Sequence, residues 1–189
     1  MLRRPLLAAG LAGLSWPLAS LADDNLLPRL RAGGCVLAFR HATAPGTYDP
    51  PGMRLGDCST QRNLSDDGRA QARRLGAWFS ARQLAPSRVR SSPWCRCVDT
   101  AQLAFGTAEP WAALGSPRAG SEETNARSLA ELRAALAEAG RQPGRFEVWV
   151  THMFVLNDLT GAGTASGEGL LLDLGADGRP HVQGRLVVA

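Results

Sequence analysis

Residues 35–39, CVLAF, are consecutive apolar positions that run directly into Arg40 and His41. A short run without polar alternation predicts a strand buried on both faces, the pattern of a parallel strand, here over 33–40. A polar tract rich in Pro, Gly and Asp follows at 42–63. Loops of that length inside a compact domain are uncommon and usually functional. At Ser65 the periodicity changes. Asp66 and Asp67 suit the first turn of a helix capped by Ser65, and Ala72, Leu75 and Phe79 recur on one face.

Residues 87–92, SRVRSS, predict a short strand with Arg88 and Arg90 toward solvent or in ion pairs. A helix is expected next, with Ser92 as N-cap, Pro93 at its first position and Gly106 past its end, which sets Arg96 in the first turn. Leu129, Leu132 and Leu136 mark a third helix over about 125–139, stopped by Gly140. RFEVWVTH then alternates as a strand ending at His152, with a short helix or turn to Gly161. The tail predicts a β-hairpin turning around GADGRP. Strands and helices in this order predict an α/β fold, a three-layer α/β/α sandwich with a mainly parallel central sheet. Such sheets bind ligands at the carboxyl ends of their strands, where His41 and His152 both fall.

Composition adds a leader. A basic start at Arg3 and Arg4, an apolar stretch, and SLA before Asp23 form a signal peptide over 1–22, cleaved after Ala22, by either the general or the twin-arginine route. A single domain over 23–189 is expected, periplasmic or secreted, without a membrane anchor. Removing the leader takes two arginines and leaves 19 basic against 17 acidic residues, a net of +2. No basic stripe interleaved with aromatics is present, so nucleic acid is not expected as a partner. Nothing in the pattern specifies an oligomer.

Arg40, His41, Arg96 and His152 are the cations expected on one sheet edge, beside a helix N-terminus. Guanidinium forks match phosphate oxygens and keep their charge, and a neutral imidazole can attack phosphorus. The segments carrying them, FRHATAP (39–45), LSDDGRAQA (64–72), SSPWCRCVDTA (91–101) and VTHMFVLNDLTG (150–161), resemble in order the motifs of the histidine phosphatase superfamily. The resemblance implies the phosphoglycerate mutase-like fold, a phosphohistidine on His41, and Arg40, Arg96 and His152 as the rest of the phosphate pocket. It also implies a carboxylic acid that protonates the leaving oxygen. After the Arg96 segment this falls at Glu122 or Glu123, with Asp158 second. Neither a metal nor another cofactor is implied. Ala42 stands where glycine is common in the first motif. Arg62, at the end of the long loop, is a substrate-binding candidate.

Cys35 begins its strand far from the pocket, whereas Cys58 lies on the loop leaving the strand's carboxyl end, near the helix start. A Cys58–Cys95 disulfide is therefore expected, with Cys58–Cys97 second. His181 is read as a surface residue. The function expected is an exported phosphomonoesterase acting on a small-molecule or envelope phosphomonoester. The alternatives are a non-catalytic binder of phosphate or anionic ligands, and a phosphoryl transferase of the mutase kind.

Overall fold

The computed structural model describes residues 21–22, 26–116 and 122–188. Its elements are β1 (Leu21–Ala22), α1 (Leu26–Ala32), β2 (Cys35–Arg40), α2 (Asp66–Ala81), β3 (Arg88–Ser91), α3 (Cys95–Phe105), β4 (Glu109–Pro110), α4 (Glu122–Gly140), β5 (Phe146–Thr151), α5 (Met153–Thr160), β6 (Gly169–Leu174) and β7 (Pro180–Val187). Among the described residues the strands form one sheet in the order β1-β7-β6-β2-β5-β3-β4. Pairing is parallel from β2 through β5 and β3 to β4. The predicted tail hairpin, β6–β7, is added antiparallel on the other side of β2.

The apolar run at 35–39 is the centre of this sheet because both of its faces find cover. Cys35, Leu37 and Phe39 pack with Leu75, Phe79 and Ala101, under α1, α2 and α3. Val36 and Ala38 pack on the opposite face with Leu132, Leu136 and Leu156, under α4 and α5. The result is the expected three-layer α/β/α sandwich. Removing side chains of this size from water stabilises the fold by about 1.5–3 kcal/mol each.

Ser65 caps α2 as the sequence predicts, its hydroxyl accepting from Gly68 N. Two glycines on α2 set how closely that helix lies against its neighbours. A Cβ at Gly68 would stand 2.0 Å from the Thr43 carbonyl oxygen, and one at Gly76 would stand 2.3 Å from that of Ala104 in α3. Other boundaries shift. α3 starts at Cys95 rather than at Pro93, α4 starts at Glu122 rather than 125, and β4 with a short 3₁₀ turn at Ala112–Leu114 occupies part of the unassigned stretch before it. Residues 1–20 of the expected leader lie outside the described residues, while Leu21 and Ala22 pair with Val187 and Leu186. No helix among the described residues is long and apolar enough to cross a membrane.

Cys58 and Cys95 form a disulfide, the preferred of the two pairings, and Cys35 and Cys97 are buried thiols. The bridge fastens the long loop to the first residue of α3. Burial pushes the Cys97 thiol up to about 12 and the Cys35 thiol up to about 11, so neither is a thiolate at neutral pH.

Because the bridge closes a sequence separation of 37, removing it is expected to cost up to about 4 kcal/mol of loop-closure entropy. Urea unfolding of a Cys58→Ser/Cys95→Ser variant against oxidised wild type measures this, and coincident midpoints would contradict it. Gly68→Ala is expected to destabilise by about 1–3 kcal/mol through the forced contact with Thr43, seen as a lower denaturation midpoint with an unchanged m-value.

Candidate active site

At the carboxyl edge of the parallel strands lies a cavity of about 450 Å³. Its wall brings together Arg40, His41, Arg62, Arg96 and His152, residues from four separate stretches of the sequence. Arg40 and His41 get there by the ending of β2. Arg40 N donates to Glu168 O at 3.0 Å and His41 N to Thr151 O at 2.9 Å, so the backbone on both sides of the pair is fixed. Thr100 of α3 adds a bridge, accepting from Ala42 N at 3.1 Å while donating to Arg96 O at 2.7 Å. The buried Ala42 methyl packs with Ala44, Leu64 and Ala72, which gives the alanine in the first motif a place.

The His41 ring has a defined tautomer. Its Nδ1 lies 2.7 Å from Ala42 O, and a carbonyl can only accept, so the ring proton resides on Nδ1. The Nε2 electron pair is left unprotonated. Burial drives the His41 pKa down to about 3, the Ala42 hydrogen bond working against this and Arg96, Arg62 and Arg40 adding to it. His41 is therefore a neutral imidazole throughout the physiological range. Such a group holds the electron pair that a nucleophile requires.

His152 ends β5 and precedes α5, its ring 5.6 Å from that of His41. A guanidinium has donors only, so Arg96 Nη2, 3.4 Å away, faces an accepting His152 Nδ1. The proton then sits on Nε2, which donates to Ser92 Oγ at 2.8 Å. His152 too is held well below its ordinary pKa, by burial first and then by Arg96 and His41. Ser92 was expected to cap α3. Its hydroxyl accepts from Trp94 N at 3.4 Å, as a cap would, and from His152 as well, while α3 starts at Cys95, whose N–H donates to Gln61 Oε1 of the long loop at 3.0 Å.

Arg96 is almost wholly buried and pairs with Asp49, Nη1 to Oδ1 at 2.8 Å. Arg40 Nη1 donates to Thr164 O at 2.9 Å, and Arg62 Nη1 donates to Ala44 O. These contacts leave part of each fork unused. The Nε groups of Arg40, Arg62 and Arg96 are all buried without a hydrogen-bond partner. Burial lowers the pKa of Arg40 and Arg62, with Arg96 adding to the effect on Arg62. Unsatisfied donors on buried cations are costly, and an anion with several acceptor oxygens would satisfy them.

Glu122 and Glu123 occupy the first turn of α4, exposed, and are not part of the cavity wall. Asp158 is also exposed and accepts from Asn125 Nδ2 at 3.2 Å. Asp49 is the carboxylate on the wall among the described residues, and the sequence reading missed it. Within TYDPPG it has the look of an ordinary turn aspartate. Burial acts to raise its pKa, but hydrogen bonds from Arg62 N, Arg96 and Trp94 and the Arg96 charge outweigh this, and the net shift is downward. His181 is on the exposed hairpin beside Asp177, as expected of a surface residue. Arg88 and Arg90 pair with Glu109 and Glu147. Among the described residues no group of three or more His, Cys, Asp or Glu side chains is arranged to hold a metal.

A profile of the histidine phosphatase superfamily (branch 1) matches residues 39–115, the span from the first motif through the turn after β4. No curated protein sequence matches the chain. Among solved structures, the protein histidine phosphatase SixA, complexed with tungstate, aligns over 80% of this chain and 96% of its own, at TM-score 0.54 and 18% identity. The α-ribazole phosphatase of Shigella flexneri aligns over 82% and 96%, at TM-score 0.59 and 13% identity. The phosphoserine phosphatase of Entamoeba histolytica aligns over 81% and 96%, at TM-score 0.58 and 12% identity. The chain is thus similar to the histidine phosphatase superfamily in sequence over residues 39–115, and it shares the fold of these solved phosphatases.

Proposed function

We propose that the chain is a phosphomonoester hydrolase that works through a phosphohistidine on His41. The observation that carries this reading is the set of three buried, unpartnered Nε donors, on Arg40, Arg62 and Arg96, around a neutral imidazole whose Nε2 electron pair is unprotonated. Phosphate oxygens take those donors, and Nε2 attacks phosphorus. The N–P bond forms as the bond to the leaving oxygen breaks, with its electrons, and that oxygen takes a proton. Water then attacks phosphorus, and the N–P electrons return to Nε2, releasing inorganic phosphate. The cations stabilise charge on the transferring oxygens throughout. No metal enters these steps.

The named relatives differ in what they act on, which matches a fold that fixes the phosphoryl end and leaves the alcohol to the loops. The Cys58–Cys95 bridge supports an oxidising compartment, in line with export and an envelope or scavenged phosphomonoester as substrate.

A general aryl phosphate is expected to be hydrolysed by the protein with or without a chelator, and His41→Ala is expected to lose turnover by at least about 10³-fold. Phosphate binding without turnover in wild type would favour a binding protein, and faster transfer to a second alcohol than to water would favour a transferase. Activity is expected to lean acidic, because the leaving-group acid must carry its proton while His41 stays neutral down to about pH 3. An optimum well above neutral would count against the mechanism.

Stability has its own pH signature. The folded-state pKa of His41, about 3, is below the ordinary 6.5, so its contribution is fully present above 6.5 and is lost as pH falls from 6.5 toward 3. The ligand-free protein is expected to melt at progressively lower temperature across that window, and His41→Gln is expected to flatten the decline. Identical slopes in the two proteins would refute the assignment.

A further inference from the structure

Asp49 belongs to the loop between β2 and α2, and each of its oxygens is engaged. Oδ1 accepts from Arg96 Nη1 at 2.8 Å and from Arg62 N at 3.0 Å, and Oδ2 accepts from Trp94 Nε1 at 3.2 Å. The carboxylate thus occupies a donor of the fork that a phosphoryl group would need, inside the cavity that would hold the substrate. Glu122 and Glu123 stand exposed outside that wall.

We propose that Asp49 is the proton donor for the leaving oxygen and, in the second half of the reaction, the base that takes a proton from the attacking water. The proposal rests on the hydrolase reading above. When a phosphate monoester dianion engages Arg96, it competes with Asp49 for Nη1 and sets negative charge against the carboxylate. The added negative charge raises the Asp49 pKa from its lowered resting position, against the hydrogen bonds from Arg62 N and Trp94 Nε1, and in this step the carboxyl carries the proton. Arg62 N and Trp94 Nε1 remain as anchors, so the protonated carboxyl keeps its position. The other charged and titratable groups lining the cavity are Arg40, Arg62 and Arg96, which are cationic, His41 and His152, which are neutral, and Tyr48.

The protons balance. The Asp49 carboxyl gives its proton to the departing oxygen, yielding the alcohol and a carboxylate. That carboxylate removes a proton from water as the water oxygen bonds to phosphorus and the N–P bond breaks. Asp49 ends protonated, His41 regains its Nε2 pair, and one water is consumed.

A series of phosphate monoesters graded by leaving-group basicity tests this. In Asp49→Asn the loss is expected to grow with basicity, from about 10-fold on 4-nitrophenyl phosphate, whose leaving group needs little protonation, to about 10²–10⁴-fold on alkyl phosphates. Asp49→Glu is expected to restore part of the shallow wild-type dependence. A uniform loss across the series in Asp49→Asn would overturn the proposal, because it would mean that Asp49 only orients Arg96. So would a steepened dependence in Glu122→Gln/Glu123→Gln with none in Asp49→Asn. Inorganic phosphate binding by calorimetry reports whether each variant keeps its pocket, and where Asp49→Asn does not bind, the slope of Asp49→Glu decides, a steep one overturning the assignment. A wild type inactive on every ester would instead remove the hydrolase reading itself.

Discussion

Three guanidinium groups share one cavity, and the arrangement around them follows from the cost of keeping them there. Arg96 is buried and Arg40 and Arg62 are half-buried, each with an Nε out of water and unsatisfied, in surroundings where like charges repel more strongly than in bulk solvent. Asp49 neutralises part of this charge at Arg96, and backbone carbonyls of Ala44 and Thr164 take donors from Arg62 and Arg40. The loop that supplies Asp49 and Arg62 is held by covalent and polar means together. Cys58 is bridged to Cys95, and Gln61 accepts from the Cys95 N–H, at the helix start that carries Arg96. A freely moving loop could not keep a cation against its own repulsion.

The same cluster requires a stiff base, which the sheet provides. β2 is buried on both faces and hydrogen-bonded to β5 and β6 on both edges. Thr100 ties its outgoing chain to the turn of α3 bearing Arg96, and the close seating of Gly68 against Thr43 ties that chain to α2. Two helices of one sheet face, α2 and α3, thus converge on the few residues after β2.

Much of this was legible in the sequence. The apolar run at 35–39, the Ser65 cap and the hairpin turn are local signals, written in a few adjacent residues, and the structure holds them as predicted. The ends of strands announced His41 and His152, since a polar residue that closes a buried strand falls on the binding edge of a parallel sheet. Local reading failed where a side chain had two uses. Ser92 carries a good capping signal and its hydroxyl does accept from Trp94 N, but it also accepts from His152, a residue 60 positions away, and the helix begins at Cys95. Asp49 was invisible for a related reason. Its meaning comes from Arg96, 47 positions on, and the loop that carries Asp49 has no periodicity that could fix where its carboxylate points.

Burial, with Arg96, Arg62 and Arg40 adding to it, keeps His41 unprotonated, and on the proposed function the arginines' share of that effect would end once a dianion arrived and cancelled their field. The tautomer must then be kept by something other than charge. The Ala42 carbonyl supplies it: as a fixed acceptor 2.7 Å from Nδ1, it keeps the ring proton there whether the pocket is empty or filled. In the proposed reaction the phosphorylated ring would be cationic, and the same carbonyl dipole would face its remaining N–H, stabilising an intermediate that the arginines by themselves would oppose. Burial and the arginines together thus give the low resting pKa, while the backbone around Ala42, pinned by Thr100, supplies the direction of the electron pair. On the proposed function, phosphate recognition would fall to the arginines and nucleophilicity to the strand end at His41 and Ala42, a separation that lets the two coexist in a site crowded with positive charge.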